Sequence, residues 1–268
     1  MAIPYYHVDS FTGELFAGNP AGVCILSAFL ADGVMQKIAA ENRHSETAFV
    51  VARADGDFDL RWFTPEVEDD LCGHATLASA YVLALRGHGE WPVRFHTRGG
   101  VLTVVQKDDG FEMDFPAQPA QSCEVPAGLL PALGLEAALV MKSRDYMVVV
   151  DSVEQVRGLA PDFAALAKVN VGNGGGAIVT AAGVTTEDGG EVDYVCRMFV
   201  PGVGIDEDPA TGSIHCTLAP YWAGRLGKDS LRARQLSARG GSMLCTVDGD
   251  RVKIEGRARL YLQGMIEV

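Results

Sequence analysis

The sequence predicts an α+β fold of two similar lobes built from one duplicated unit. Three observations predict it. Short strand-like segments outnumber helical ones, and 31 glycines supply the tight turns that such strands need. A strand–turn–helix pattern also recurs in the same order in both halves. The length of 268 residues suits one large domain or two of ordinary size, and 48% hydrophobic with 21% charged residues suits a sizeable core.

In the first half, residues 5–8 and 23–26 read as strands and 34–41 as a helix. Residues 47–52 and 60–63 read as strands, because apolar and β-branched residues cluster there between Asp/Gly turns. Residues 74–85 place Leu77, Ala80, Tyr81 and Ala84 at helical spacing between Gly73 and Gly87. Residues 93–95, 102–106 and 111–115 complete the half as strands. The second half answers it. GGAIVTAAG (175–183) matches SETAFVVAR (45–53), and CRMFVP (196–201) matches LRWFTP (60–65), aligning Arg197 with Arg61 and Pro201 with Pro65. Acidic stretches follow, EVEDD (66–70) and GIDEDPA (204–210). Gly73 and Gly212 then each open an Ala-rich helix, ended by Gly87 and by Gly224 or Gly227. The expected lobes are residues 1–117, joined by a returning strand at 257–268, and residues 118–256.

Charge and composition narrow the partners. With 35 acidic against 22 basic residues the net charge is −13, so a nucleic acid would be repelled over most of the surface. An anionic metabolite must instead be held locally. A duplicated strand–turn–helix unit can set two helix N-termini face to face, each with unpaired N–H groups and about half a positive charge. A carboxylate between them would be bound without Lys or Arg. No apolar run approaches the ~20 residues needed to cross a bilayer, so no membrane partner is expected. Residues 1–9 lack a basic segment followed by an apolar stretch. Cys24, Cys72, Cys123, Cys196, Cys216 and Cys245 form no CxxC pair and read as reduced thiols of a cytoplasmic protein. His7, His44, His74, His88, His96 and His215 show no ligand spacing, so no metal is expected. VGNGGG (171–176) precedes a strand rather than a helix and reads as a tight turn, not a phosphate loop. No GxSxG elbow is present.

Three segments could carry chemistry. In LCGHATLASA (71–80), Gly73 lets a ligand approach the backbone and His74 could donate to or orient a substrate. Cys72 is either a ligand contact or a small buried apolar residue. In DEDPATGS (206–213), Asp208 is held extended by Pro209. Thr211, Gly212 and Ser213 read as a helix opening whose hydroxyls cap the helix or bind a ligand. Asp206 and Glu207 read as solvated charges, and Cys216 as lying one turn into the helix, away from its mouth. In NRHSETAFV (42–50), Glu46 opens a buried-looking strand. It is either a turn-facing carboxylate or a base that takes a proton and returns it as an acid.

Taken together, FAGNPAGV (16–23), SETAFV, LCGHATLA and DPATGS resemble the PhzF-like isomerases, within the larger diaminopimelate epimerase and proline racemase fold group. The resemblance runs from about residue 5 to the C-terminus. It implies two lobes, each a curved sheet wrapped around a central helix, with the active site in the cleft between them. It also implies a cofactor-independent enzyme, commonly a homodimer, acting on a small carboxylic acid. Glu46 would be the acid/base, with His74 and Asp208 as further catalytic groups. Cys72, Gly73, Thr211, Gly212 and Ser213 would bind substrate, the amides near Gly73 and Gly212 holding its carboxylate. Two departures stand out. Two-base racemases of this fold carry a Cys at each helix start, whereas here Cys72 faces DPATGS, which disfavours a symmetric Cys–Cys racemase. Arg43 and His44 also replace the apolar residues expected before Ser45. The expected function is a proton-shifting isomerase. An epimerase using Glu46 or Cys72, and a non-catalytic metabolite-binding protein, are the alternatives.

Overall fold

The structure is a computed structural model and describes residues 1–169, 175–183 and 191–268. The turn expected at 171–176 therefore lies largely outside the described residues. The chain forms two compact units, Met1–Phe115 with Lys253–Val268, and Pro116–Val252.

The first unit runs β1 (Ala2–Ser10), β2 (Asn19–Leu26), α1 (Asp32–Asn42), β3 (Glu46–Ala52), β4 (Phe58–Phe63), β5 (Glu68–Asp69), α2 (Gly73–Leu85), β6 (Val93–Thr97), β7 (Gly100–Lys107) and β8 (Gly110–Pro116). The second runs β9 (Gln121–Ser122), α3 (Leu129–Leu133), β10 (Leu139–Lys142), β11 (Tyr146–Val149), α4 (Val153–Gly158), α5 (Phe163–Leu166), β12 (Ala177–Ala182), β13 (Tyr194–Val200), β14 (Ile205–Asp208), α6 (His215–Leu226), β15 (Ser230–Gln235) and β16 (Gly241–Asp248). β17 (Arg251–Gly256) returns the chain to the first unit, where β18 (Ala258–Glu267) pairs antiparallel with β1.

Strand pairing repeats. β2 lies parallel to β3 across the α1 crossover, β3 is antiparallel to β4, and β4 is parallel to β6 with β5 on its end. In the second unit β11 lies parallel to β12, β12 is antiparallel to β13, and β13 is parallel to β15 with β14 on its end. The matched sequence segments fall on β3 and β12, then on β4 and β13. The repeat reaches individual side chains. Arg61 forks onto Glu68 through two bonds of 2.7 Å, and Arg197 onto Glu207 through bonds of 2.7 and 2.8 Å. Each guanidinium also lies over the ring two residues on, 5.2 Å from Phe63 and 4.9 Å from Phe199. Glu207 is thus no solvated charge. The β13–β14 pairing carries it back to Arg197, and the bidentate fork fixes the turn between those strands.

α2 is the central helix of the first unit. Every residue from Gly73 to Ala80 is buried, as are Val82 and Leu83. A helix apolar all round belongs inside a core, and its Gly and Ala residues let the strands close on it. The buried hydroxyls of Thr76 and Ser79 donate to the carbonyls one turn back, at 2.5 and 2.7 Å. In the second unit, α6 buries His215, Cys216, Thr217, Leu218, Ala219 and Trp222. It opens at His215 rather than at Gly212, because the Thr211 hydroxyl donates to Asp208 and its oxygen accepts from Gln235 Nε2 at 3.2 Å, so it caps nothing. Gly212 to Ile214 form a tighter lead-in, where the amides of His215 and Cys216 donate to the carbonyls of Gly212 and Ser213. Cys216 therefore sits in the first turn of α6, not a turn beyond its mouth. The helix ends at Gly227, whose φ of 65° suits glycine, and Gly224 stays helical.

Candidate active site

Glu46 is the first residue of β3, level with Ala21 of β2. The preceding turn from α1 is made by Arg43, whose φ of 54° ends that helix. His44 then turns back on the first strand, its Nε2 3.0 Å from the Tyr5 hydroxyl and its ring 4.2 Å from that of His7. Burial, and then the neighbouring Cys24, push the Tyr5 phenol up, so it stays a neutral hydrogen-bonding group.

The opening of α2 brings His74 to Glu46. The Ser10 hydroxyl donates to the His74 carbonyl at 2.8 Å, pinning the helix to β1. Asn19 comes from the other side, its Nδ2 3.3 Å from His74 Nδ1. Its approach depends on Gly18, where φ is +66° and a Cβ would lie 2.1 Å from the Ser10 carbonyl oxygen. The Asn19 amide nitrogen can only donate, so Nδ1 accepts and Nε2 carries the imidazole proton. That Nε2 lies 3.0 Å from Glu46 Oε2. The two atoms are close but out of line, and Oε2 is buried without an aligned hydrogen-bond donor. Cys72 Sγ lies 3.5 Å from Nδ1 and 4.0 Å from Nε2. Glu46, Cys72 and His74 thus form one buried cluster, with a donor atom of each within 4.8 Å of the others. Gly73, buried between Cys72 and His74, starts the helix at the same point.

The remaining candidate residues form a second group, in the second unit. Asp208 ends β14 and accepts a short hydrogen bond from the Thr211 hydroxyl. The Thr211 amide donates to Gln235 Oε1 at 2.8 Å, and Gln235 Nε2 donates to the Asp208 carbonyl at 2.6 Å. Ser237 adds a bond of 2.6 Å to the Pro209 carbonyl. Gly212 is buried and Ser213 half-buried on the lead-in to α6. Sequence reasoning missed three residues. Asn19 sat inside the FAGNPAGV motif, which could have flagged it. Gln235 closes an ordinary strand pattern and gave no signal. His215 opens α6 fully enclosed, its Nδ1 2.6 Å from the Tyr194 hydroxyl, and burial drives its pKa down to about 3.

A family described as phenazine biosynthesis-like protein matches residues 8–264. An uncharacterized isomerase of Pseudomonas aeruginosa is 50% identical over 269 residues, covering all of both chains. The crystal structure of a PhzF-family phenazine biosynthesis protein from Enterococcus faecalis superposes with a TM-score of 0.92 at 41% identity, covering all of both chains. A hydroxyproline epimerase from Agrobacterium vitis shares the fold, with a TM-score of 0.62 at 12% identity over 99% of this chain and 91% of that one. The chain belongs to the phenazine biosynthesis-like family. It is an isomerase on the duplicated α+β fold that this family shares with proline racemase-like enzymes.

Proposed function

We propose that this isomerase of the phenazine biosynthesis-like family moves a proton between two carbons of a small unsaturated or cyclic carboxylic acid, with Glu46 as the mobile acid/base. One observation carries the reading. Glu46 Oε2 is buried 3.0 Å from His74 Nε2 without an aligned donor, so it keeps a lone pair for a carbon-bound proton. Glu46 takes that proton, the electron pair spreads into the conjugated acid, and the resulting carboxylic acid gives the proton to another carbon. The sequence is redox-neutral and needs no cofactor. His74 orients the substrate through its Nε2 proton. Asp208, Thr211 and Ser213 are the further candidates for substrate contact in the second unit, and the backbone amides near Gly73 and near Gly212 are the candidate anion donors of their respective units.

Two finer points belong to the same reading. All six cysteines are free thiols, which supports a reducing, cytoplasmic setting. A homodimer is supported by β18, which exposes Tyr261, Leu262 and Met265. Paired antiparallel with itself about Gln263, this strand would set Arg259 against Glu267. Light scattering should then report two chains for the wild type and one for Leu262→Glu with Met265→Glu.

The test is deuterium uptake from heavy water by a panel of cyclic dienyl, amino and hydroxy acids, comparing wild type with Glu46→Gln. The wild type should exchange one panel member, and Glu46→Gln should lose at least about a hundredfold in rate. Equal exchange by both proteins would remove Glu46 as the base. The second reading is an epimerase using Glu46 or Cys72, and the Cys72 sulfur, 3.5 Å from His74 Nδ1, keeps a thiol in the same cluster. In that case Cys72→Ser would lose stereochemical inversion of an amino or hydroxy acid. Ligand-induced thermal shifts that survive Glu46→Gln, with no exchange of any acid, would point to a binding protein.

A further inference from the structure

We propose that Cys72, His74 and Glu46 also form a binding site for a zinc ion, and that zinc bound there inhibits the enzyme. The inhibition rests on the proton-transfer role of Glu46; the metal site does not. The donor set is a thiol, an imidazole and a carboxylate, all of them ordinary zinc ligands. The side chains are almost enclosed, with Cys72 and His74 each 5% exposed and Glu46 9%.

Spacing supports one shared ion. Zinc bonds of about 2.3 Å to sulfur and about 2.0–2.1 Å to nitrogen or oxygen, set tetrahedrally, place N and O about 3.3 Å apart and S and N about 3.6 Å apart. The corresponding separations are 3.0 Å from His74 Nε2 to Glu46 Oε2 and 4.0 Å from Cys72 Sγ to the same nitrogen. Each departs by a few tenths of an ångström, in opposite senses, so a small shift of the ring corrects both. The second observation is Glu46 Oε2 itself, a buried carboxylate oxygen without an aligned donor beside the ring nitrogen that a metal would take.

The outer groups and the charge also match. A metal on Nε2 moves the imidazole proton to Nδ1, which faces the Asn19 amide. That amide, turned over, offers its oxygen to Nδ1–H, the partner that zinc-bound histidines usually have. Binding releases the Cys72 thiol proton, and one thiolate with one carboxylate neutralises the divalent ion. The fourth position is left to water or to a substrate carboxylate. Among the described residues one other close group of metal-type ligands, Asp55, Asp57 and His96, differs in kind. Arg53 and Arg94 already hold its carboxylates, so no charge there calls for an ion.

The experiment titrates Co²⁺ alone into the reduced, chelator-treated full-length protein and follows its absorption. One equivalent should produce a thiolate-to-cobalt charge-transfer band with intense four-coordinate d–d bands, both bleached by Zn²⁺. Cys72→Ser should abolish the charge-transfer band and Glu46→Gln should weaken binding at least tenfold. Cys216→Ser, which alters a buried thiol of the second unit, should change nothing, and circular dichroism checks that each variant is folded. Absence of the band at saturating Co²⁺, or its survival in Cys72→Ser, would overturn the site. Stoichiometric binding with undiminished proton exchange would overturn the inhibition alone. Exchange by Glu46→Gln would instead sink the proton-shuttle reading, while the spectra still report on the metal site.

Discussion

Enclosed between Tyr194 and the first turn of α6, the His215 imidazole is neutral in the folded chain, its Nδ1 hydrogen-bonded to the Tyr194 hydroxyl at 2.6 Å. Burial holds its pKa at about 3, against an ordinary value of 6.5. As pH falls, the unfolded chain therefore takes up this proton first. The stabilisation is whole above about 6.5 and is lost as pH falls towards 3, at about 1.4 kcal/mol per pH unit. Denaturant unfolding at pH 6.5 and pH 5 should show the wild type losing about 2 kcal/mol more than His215→Asn. Equal losses would mean that the histidine is solvated. His215 was illegible in the sequence because its burial comes from β13, some twenty residues away in the chain. Glu46, Cys72 and His74 were legible as candidates because each opens an element next to a distinctive motif. Their convergence on one imidazole was not, since it depends on the β2–β3 register and on Gly18.

Elements that pass through the core tolerate added volume worst, and α2 is the sharpest case. Ala78 is fully enclosed, whereas Leu85, at the end of the same helix, is 47% exposed. Ala78→Leu should destabilise the protein by about 1–3 kcal/mol through overpacking, although Leu is as good a helix former as most. Leu85→Ala should change stability by less than about 0.5 kcal/mol. Similar midpoints for the two variants in thermal unfolding would show that the strands leave slack around the helix. The limits of α2 were legible because Gly73 and Gly87 flank an Ala- and Leu-rich run without a breaker. The start of α6 was not. Thr211, Gly212 and Ser213 read as a helix opening, but Asp208 and Gln235 take both the proton and the oxygen of the hydroxyl that would have capped it. The role of Glu207 was hidden for a related reason, because a carboxylate in an acidic run reveals its arginine only once two strands pair.

At the scale of the whole molecule, the chain leaves the first unit at Phe115 and returns to it at Lys253. Residues 257–268 carry no motif that assigns them to a lobe; the open edge of β1 does that. β18 covers this edge along its whole length, from Ala2 opposite Glu267 to Ser10 opposite Ala258. Just before it, Gly256 lies so close to the core that a Cβ there would sit 2.4 Å from the Phe11 ring and 3.0 Å from Leu77. The returning segment is therefore part of the first core. The second unit, by contrast, is continuous and has its own apolar cluster around Leu129, Val148, Val156, Val179 and Phe199. Residues 116–252 alone should unfold cooperatively, while residues 1–115 alone should not, because β1 keeps β2 but loses β18 and Phe11 loses its cover. The Val268 amide donates to the Met1 carbonyl at 3.1 Å, so the two chain ends meet. A rearranged chain in which 253–268 runs directly into 1–115 should regain a cooperative melt, read by circular dichroism. If residues 1–115 melt as sharply without the returning segment, β18 is only an appendage, and the first unit folds on the ten elements from β1 to β8 alone.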